Sequence, residues 1–418
     1  MRGAGTKPAI TPADPPARLL DVSRLVSRAG RGAFTGIDRV EMAYLTWLSA
    51  QPAPFFALAR TALGFVLLDR DGALGLAARL RGDVPWGAPD LLGRLIHRST
   101  RSRAVAEADL RRLALARCRP KGLARLLARH LPTGAAYINV GHSNLGRESL
   151  AAIRAHPGAR IAVMIHDTIP LDFPQFTRPG LPERFAGMLL NVGASADLIL
   201  CNSAATAADV EARLGDELPI VVAHLGVETP TPDATGLPPG LPLSHPYFVT
   251  TGTIEGRKNH DFLLTLWETM LTERPASHVP ALFMIGSRGW RNEEFFARFD
   301  GSPLKNRVIF ELPGLDDGAM AALTAGACGL LFPSLAEGYG LPPLEAMALG
   351  TPVLANDLPV FQEVLGDFAV YAPVTDAYSW RKNIDELMRR AGTHEQGKAQ
   401  ARAVPTWQDH FSTVLNLT

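Results

Sequence analysis

The chain has 418 residues, and its 42 Lys and Arg nearly balance its 41 Asp and Glu, which gives a formal net charge of +1. This length fits two domains better than one. No apolar run approaches ~20 residues, so no membrane-spanning helix is predicted. Cys118, Cys201 and Cys328 show neither metal-ligand nor disulfide spacing, and the predicted compartment is therefore a reducing cytoplasm.

The first 16 residues are rich in Ala, Pro, Gly and Thr and lack the apolar segment of a signal peptide. Residues 1–16 are therefore predicted to be a disordered leader. Further along, Gly36 opens a predicted helix that runs through Leu48, and Asp38 and Arg39 lie in its first turn.

Residues 91–130 contain eleven Lys and Arg but only Glu107 and Asp109 as acids, and leucines are interleaved with the basic residues. This stretch is either a solvated helical face or a surface for anionic lipid head groups, to which each basic residue would add ~1 kcal/mol. Nucleic-acid binding is not predicted, because neither aromatic residues nor a binding motif accompany the charge.

Apolar segments with polar ends predict strands in the first half, at residues 136–142, 161–167, 197–203 and 219–224. His142 and His166 each end or nearly end a strand, where a single histidine is usually structural. Ser203 suits the N-cap of a following helix. These elements predict an N-terminal Rossmann-like domain over residues 17–235.

The segment 228–246 carries six prolines, which cannot continue a helix or a central strand, and it is predicted to be a linker. A second Rossmann-like domain is predicted over 247–390. Residues 391–418 are predicted to be a helical segment that returns to the N-terminal domain.

The second predicted domain begins with an apolar strand, 247–251, that ends at Gly252. Arg257 and Lys258 follow side by side, just before a predicted helix near Asp261. Arg can grip a phosphate with two hydrogen bonds and Lys acts as a compact charge, so the pair suits a diphosphate. The pair could also be an ordinary exposed basic pair.

Two further strands continue the alternation, at 281–285 and 308–312. The first ends at Gly286, and Trp290 follows it, where it could equally be a packing residue. Strands that alternate with helices predict an α/β fold with doubly wound parallel sheets and ligands at the carboxyl ends of the strands.

The segment Glu337 to Glu345 joins a strand at 328–333 to a helix that is followed by a strand at 351–355. Glycines at 338 and 340 form a turn before the helix, whose N-terminus could aim backbone N–H groups at an anion. Glu345 is predicted in the first helical turn. Taken alone, Glu345 would only favour a helix start and Glu337 would be a solvated loop acid.

These segments together resemble the retaining GT-B glycosyltransferases of family 4, the glycosyl transferases group 1, of bacterial polysaccharide type. Glu337 to Glu345 is similar to the family's E-x7-E signature, and 252–259 to its G-x-x-x-x-R-K-N element. His166 to Leu171 is similar to its H-D-x-I-P-L element, and Gly36 to Arg39 to its G-I-x-R loop. The fold that this resemblance implies is GT-B, with two Rossmann-like domains facing a central cleft.

The resemblance also implies roles for residues. Arg257 and Lys258 would stabilise the donor diphosphate, while Glu337 and His166 would position the sugar. Glu345 would hold the ribose. The implied donor contacts are Gly36, Gly252, Gly286, Gly338, Tyr339, Gly340, Leu341 and Glu345. The first domain would be the acceptor side, and the candidates for contact with the acceptor are Arg39, His142, Asn144 and Asp167. Asp38 would repel a diphosphate, so it is expected to face an acceptor hydroxyl or solvent.

The implied activity is metal-independent, retaining transfer of a sugar, with mannose or a deoxysugar preferred, to a saccharide or lipid-linked acceptor. The donor would be a GDP-, UDP- or dTDP-linked sugar, and no cofactor is expected. Such transfer would serve surface polysaccharide synthesis, either lipopolysaccharide or capsule. The alternatives are a non-catalytic scaffold of a polysaccharide assembly complex and a nucleotide-sugar epimerase. No strand is followed by G-x-G-x-x-G, which disfavours a dinucleotide enzyme.

Overall fold

The computed structural model describes residues 14–30, 34, 36–96, 100–392 and 401–418. Residues 1–13 of the predicted leader and 393–400 of the predicted C-terminal segment lie outside the described residues. Within the described ranges the chain forms two sheets, each covered by helices.

The first sheet has the order β4-β3-β2-β1-β5-β6-β7-β8. Its pairs are parallel except for β2 with β3 and β3 with β4. The strands are β1 Arg18–Asp21, β2 Phe55–Thr61, β3 Gly64–Leu68, β4 Ala116–Cys118, β5 Ala136–Asn139, β6 Arg160–Ile165, β7 Leu198–Cys201 and β8 Ile220–Val222.

The second sheet is parallel throughout and has the order β11-β10-β9-β12-β13-β14. Its strands are β9 Tyr247–Thr251, β10 Ala281–Ile285, β11 Ile309–Leu312, β12 Gly329–Phe332, β13 Val353–Ala355 and β14 Ala369–Tyr371. The strand order reverses between β9 and β12, and ligands of doubly wound sheets bind at the carboxyl ends of the strands at such a reversal.

Helices connect the strands and cover both sheets. They are α1 Ser23–Arg28, α2 Gly36–Ala50, α3 Arg70–Arg81, α4 Leu91–Ile96, α5 Arg101–Leu113, α6 Leu123–His130, α7 Arg147–Arg154, α8 Ile169–Asp172, α9 Leu181–Ser195, α10 Ala204–Leu214, α11 His260–Glu273, α12 Glu293–Asp300, α13 Asp317–Gly326, α14 Leu341–Ala348, α15 Pro359–Leu365, α16 Ala377–Gly392 and α17 Trp407–Val414. The predicted α/β fold with doubly wound parallel sheets is confirmed.

Local chemistry sets several of the helix starts. Ser203 accepts a hydrogen bond from the N–H of Thr206 and caps α10, as predicted. Asp316 caps α13 in the same way through the N–H of Ala319. Gly340 has a φ of 104°, a conformation that favours glycine, and it turns the chain from the loop after β12 into α14.

The last helix, α17, packs on α2 beside the first sheet. The Phe411 ring stacks on Trp47 at 4.6 Å between centroids and meets Tyr44 edge-on at 4.9 Å. The Tyr44 hydroxyl lies 2.8 Å from Nε2 of His410, whose pKa is lowered to about 4 by burial. The chain thus crosses back to the first sheet after completing the second.

The leucines of residues 91–130 do not lie on one surface. Leu110, Leu123, Leu126 and Leu127 are buried in the core. Helix α4 instead exposes Leu91, Leu92 and Leu95, with exposed fractions of 77%, 45% and 62%. The interleaving of Leu and Arg in this stretch therefore reflects amphipathic helices, whose leucines face inward in α5 and α6.

Candidate active site

Two loops meet where the order of the second sheet reverses, one after β9 and one after β12. The N–H of Leu335 donates to the carbonyl of Arg257 at 2.7 Å, and Nη1 of Arg257 donates to the carbonyl of Ala336 at 3.0 Å. Nδ2 of Asn259 donates to the carbonyl of Pro333 at 3.3 Å. These bonds fasten segments that lie far apart in sequence into one rigid wall of the cleft.

The carboxylate of Glu337 lies between the two basic side chains of this wall. Its Oε1 is 2.8 Å from Nη1 of Arg257 and also contacts Nζ of Lys258. On its other side Arg257 pairs with Glu255, at 2.7 Å from Nε to Oε1. The geometry thus brings together Glu337, Arg257 and Lys258, as an active site built from them requires.

The expectation that Arg257 and Lys258 are exposed is wrong, because these side chains are only 23% and 9% exposed. The basic pair is drawn inward by the carboxylate between its members and by Phe332, whose ring centre lies 4.4 Å from Nζ of Lys258. Gly252 lies beside this ammonium group, since a Cβ there would be in ordinary contact with Nζ, at 3.7 Å.

Charge in this cluster keeps Glu337 ionised. Burial opposes ionisation, but Arg257 and Lys258 outweigh it and lower the pKa of Glu337 to about 2. Burial likewise opposes the charge of Arg257, and Glu337 and Glu255 outweigh that effect and raise its pKa. Nη2 of Arg257 donates no hydrogen bond to a described residue, so the guanidinium keeps a donor for a ligand.

The end of β6 presses against the turn at Gly338. A Cβ on Gly338 would lie 2.1 Å from the carbonyl oxygen of His166, so only glycine fits there. Oγ of Ser203 donates to the carbonyl of Gly338 at 2.9 Å. The first domain therefore reaches the loop of Glu337 by backbone contact.

His166 and Asp167 lie at this junction, where His166 is buried and Asp167 is partly buried. Nε2 of His166 lies 2.7 Å from the carbonyl of Val140, and burial lowers the pKa of His166 to about 3, so its ring is neutral. Burial raises the pKa of Asp167 to about 6, against the opposing charge of Arg257. Asp167 can therefore hold a proton close to neutral pH, which is uncommon for an aspartate.

Helix α14 starts beside this cluster, with Gly340 and Leu341 at its N-terminus. Glu345 lies in its second turn, one residue past the predicted first turn. Oε1 of Glu345 is 2.8 Å from Nη1 of Arg39, which comes from α2 of the first domain. Gly36, at the start of α2, also faces this helix, since its Cβ would lie 3.9 Å from Cδ1 of Leu341.

Tyr339 is buried, and its hydroxyl donates to the carbonyl of Leu225 of the first domain at 2.9 Å. Gly286, at the end of β10, lies against the end of β9, where a Cβ would be 2.0 Å from the carbonyl oxygen of Gly252. Trp290 is 41% exposed and has the Arg178 guanidinium 5.1 Å from its ring centre. Trp290 is thus a partly exposed side chain near the first domain rather than a core residue.

Two residues predicted to contact an acceptor form hydrogen bonds within the first domain. Nδ2 of Asn144 donates to Oδ2 of Asp21 at 2.8 Å and to Oγ of Ser23 at 2.7 Å. Nε2 of His142 lies 2.9 Å from the carbonyl of Met164. Both residues have positive φ, 58° for His142 and 59° for Asn144, so these contacts hold a strained loop in place.

The sequence interpretation missed the buried carboxylates of this domain. Asp21 ends β1, and Glu41 on α2 accepts from the N–H of Leu25, while burial raises the pKa of each. An acid directly after a buried strand was the available signal for Asp21. The expectation that Asp38 faces solvent or an acceptor is wrong, because it is fully buried and pairs with Arg24 and Arg28.

Within the described residues, no group of three or more His, Cys, Asp or Glu side chains is arranged to hold a metal ion. The helices that the structure describes include none that is both long and apolar enough to cross a bilayer. Cys118, Cys201 and Cys328 are free thiols.

Comparison with known proteins shows what the chain is similar to. Residues 238–404 match the family described as Glycosyl transferases group 1. The serotype-specific mannosyltransferase WbdA of Escherichia coli is 30% identical over 230 residues, which cover 51% of this chain but only 28% of WbdA. The O-antigen chain mannosyltransferase RfbU of Salmonella typhimurium is 44% identical over 87 residues, covering 20% of this chain and 24% of RfbU.

Among solved structures, the Anabaena protein HepE in complex with UDP-glucose aligns with a TM-score of 0.60 and 14% identity, over 96% of this chain and 97% of HepE. At this identity the likeness concerns the fold. The relatives and the two-sheet architecture agree on one assignment. Residues 238–404 are similar to the glycosyl transferases group 1 family, and the chain has the GT-B fold, with two Rossmann-like domains, of its structural neighbours.

Proposed function

We propose that the protein is a metal-independent, retaining glycosyltransferase of family 4 that acts in the cytoplasm. It moves a sugar, preferably mannose, from a nucleotide-diphosphate sugar to a saccharide or lipid-linked acceptor in surface polysaccharide synthesis. The observation that carries the proposal is the buried cluster of ionised Glu337 with Arg257 and Lys258 at the strand-order reversal. The mannosyltransferase names of WbdA and RfbU support mannose as the sugar.

The chemistry of transfer needs positive charge where the leaving diphosphate develops negative charge, and Arg257 and Lys258 supply it without a metal. Nη2 of Arg257 is the donor that remains for phosphate oxygen. The N–H groups at the start of α14 point to the same region. Ionised Glu337 can accept hydrogen bonds only, so it suits the hydroxyls of a donor sugar.

The proposed reaction occurs on one face of the sugar. The bond between C1 and the diphosphate oxygen breaks, and its electron pair stays on the diphosphate. The acceptor hydroxyl oxygen bonds to C1 on the same face, and its proton passes to the departing phosphate oxygen. The configuration at C1 is therefore retained, and no side-chain base is needed.

The same cluster disfavours one of the two alternatives. A scaffold without activity has no need to keep a buried carboxylate between two cations, since such an arrangement costs several kcal/mol of desolvation per ion. A nucleotide-sugar epimerase of this fold would share the donor site, so only the products of the reaction separate it from a transferase.

The first prediction tests the reaction. Incubating the protein with GDP-, UDP- and dTDP-sugars and a mannose-containing oligosaccharide acceptor should give transfer from GDP-mannose, with an α-anomeric product detected by NMR. Added EDTA should leave the rate unchanged. An inverted anomer, an isomerised donor without transfer, or complete loss of the rate in EDTA would each contradict the proposal.

The second prediction concerns the cations. Lys258→Ala should lower kcat about a hundredfold, because the cation acts more strongly as the leaving group departs. Arg257→Lys keeps the charge but loses the free Nη2 donor, and we expect a loss of similar order. Lys258→Arg is the matched control for charge and should retain more activity than Lys258→Ala.

Lys258 is buried and Arg257 is partly buried beside Glu337, so a substitution there could disturb the fold. Near-ultraviolet circular dichroism of each variant should therefore be measured together with its kcat. Near-normal turnover in both Lys258→Ala and Arg257→Lys would remove the pair from the reaction. A folded Lys258→Ala variant with a hundredfold lower kcat would support the proposal directly.

The third prediction separates the two carboxylates. Glu345→Ala should weaken binding of the free nucleoside diphosphate, because we propose that this carboxylate holds the ribose hydroxyls. Glu337→Ala should chiefly lower kcat, because its contacts are with the sugar. Calorimetry with GDP and UDP distinguishes the variants. If both bind these ligands like the parent, the ribose assignment is wrong.

The proposed partners include an anionic membrane that contacts residues 91–130. Helix α4 offers exposed leucines at 91, 92 and 95, and Arg94 and Arg101 share a pocket of about 590 Å³ with Trp86. Arg111 is ion-paired with Asp90 and is only 6% exposed, so it is not available to a lipid. The surface that we propose for lipid therefore consists of α4, which includes Arg94, and of Arg101 at the start of α5.

The fourth prediction tests this surface with vesicles of phosphatidylcholine and phosphatidylglycerol. Binding should be clear at low salt and largely lost near ~0.5 M, because charge attraction is screened over roughly 8 Å at physiological salt. Arg94→Gln with Arg101→Gln should abolish it. Arg117→Gln with Arg119→Gln removes equal charge from exposed positions outside α4 and should leave most binding intact. A parent protein that ignores these vesicles at low salt would refute the contact.

A further inference from the structure

One side chain of the first domain crosses the cleft and forms ion pairs with the second domain. Arg39 lies in the first turn of α2, and its Nη1 and Nη2 each lie 2.8 Å from a carboxylate of the other domain. The partners are Glu345 on α14 and Asp317 on α13. A single guanidinium thus bridges two helices that belong to the proposed nucleotide site.

The position of Arg39 is fixed from its own side. The preceding residue, Asp38, is fully buried and pairs with Arg24 and Arg28 of α1, so the first turn of α2 is anchored in the first domain. Gly36 brings this turn close to Leu341. The guanidinium therefore reaches α14 from an ordered base rather than from a mobile loop.

The contact with Glu345 uses only one carboxylate oxygen. Oε1 accepts a hydrogen bond from Nη1 of Arg39, whereas Oε2 accepts none from a described residue. The Glu345 side chain is 15% exposed. A carboxylate accepts about four hydrogen bonds, so Oε2 retains its full capacity for two hydroxyl donors.

Arg39 also offsets the cost of placing this carboxylate in the cleft wall. Burial raises the pKa of Glu345, and the charge of Arg39 acts against that rise. One arm of the guanidinium holds Oε1 of this carboxylate, and the other arm is held by Asp317, so the position of Oε1 is constrained. Arg39 thus favours the ionised form of Glu345 and constrains the orientation of its side chain.

We propose that Arg39 is a positioning residue for the nucleotide: it aims Oε2 of Glu345 at the ribose hydroxyls of the donor. This inference rests on the proposed role of Glu345 in holding the ribose. It replaces the expectation that Arg39 contacts the acceptor. It also makes ribose recognition a property of both domains, since the orienting group comes from the first and the accepting group from the second.

Lysine would perform this task less well, because its ammonium is a point charge and lacks the fixed fork with which a guanidinium can hold two carboxylates on separate helices. In an alternative arrangement, Arg39 would compete with the ribose for Glu345. Removing Arg39 would then tighten nucleotide binding. The free Oε2 favours orientation, because ribose can bind while the ion pair at Oε1 persists.

The fifth prediction tests orientation by calorimetry with GDP, UDP and the 2′,3′-dideoxy analogue of each. The preference for the ribose form over its dideoxy analogue measures recognition of the hydroxyls. In Arg39→Ala we expect this preference to fall about tenfold, as expected for hydrogen bonds to a charged group that lose their alignment. Affinity for the dideoxy analogue should change less than about twofold. Arg39→Lys should restore only part of the preference.

Arg154→Ala is the matched control, because that guanidinium also holds a carboxylate, Asp197, but entirely within the first domain. It should leave both affinities unchanged. A purely structural role of Arg39 would lower the affinities for both ligands equally and leave the preference intact, which would overturn the inference. Tighter GDP or UDP binding by Arg39→Ala would overturn it as well.

Glu345→Ala distinguishes this inference from the function on which it rests. If Glu345→Ala keeps the parent's preference for ribose hydroxyls, the ribose assignment itself fails. If Glu345→Ala loses the preference while Arg39→Ala keeps it, only the role of Arg39 fails. Loss in both variants, with the Arg154→Ala control unchanged, supports both.

Discussion

The arrangement of the cleft depends on one buried ion cluster, in which Glu337 lies between Arg257 and Lys258. Removing a carboxylate from water costs several kcal/mol of free energy, and only close, well-oriented cations and hydrogen-bond donors offset this cost. The two cations come from the loop after β9 and the acid from the loop after β12. The cluster therefore joins the strands between which the sheet order reverses, and it gives the site both its shape and its charge.

Much of the fold followed from local signals in the sequence. Alternating apolar strands and helices specify the parallel sheets, and Ser203 and Asp316 mark helix starts where the structure has them. Such features depend on residues a few positions apart. They are readable because propensity, capping and periodicity act over one or two turns.

The partners and burial of the site residues could not be predicted in this way. Arg39 and Glu345 are 306 positions apart, and nothing near either residue indicates the other. Adjacent Arg257 and Lys258 have the appearance of an exposed pair, because the acid that draws them inward arrives with another strand. Asp38 was misplaced for the same reason, since its partners Arg24 and Arg28 lie on the preceding helix.

The close contact at Gly338 has a consequence for how such a protein can diversify. Because the His166 carbonyl occupies the space of a side chain there, the contact sets a minimum separation between the domains. Any larger residue at 338 would meet that carbonyl and push the two backbones apart. The distance between the domains at this point is therefore less open to change by substitution than loops that make no such contact.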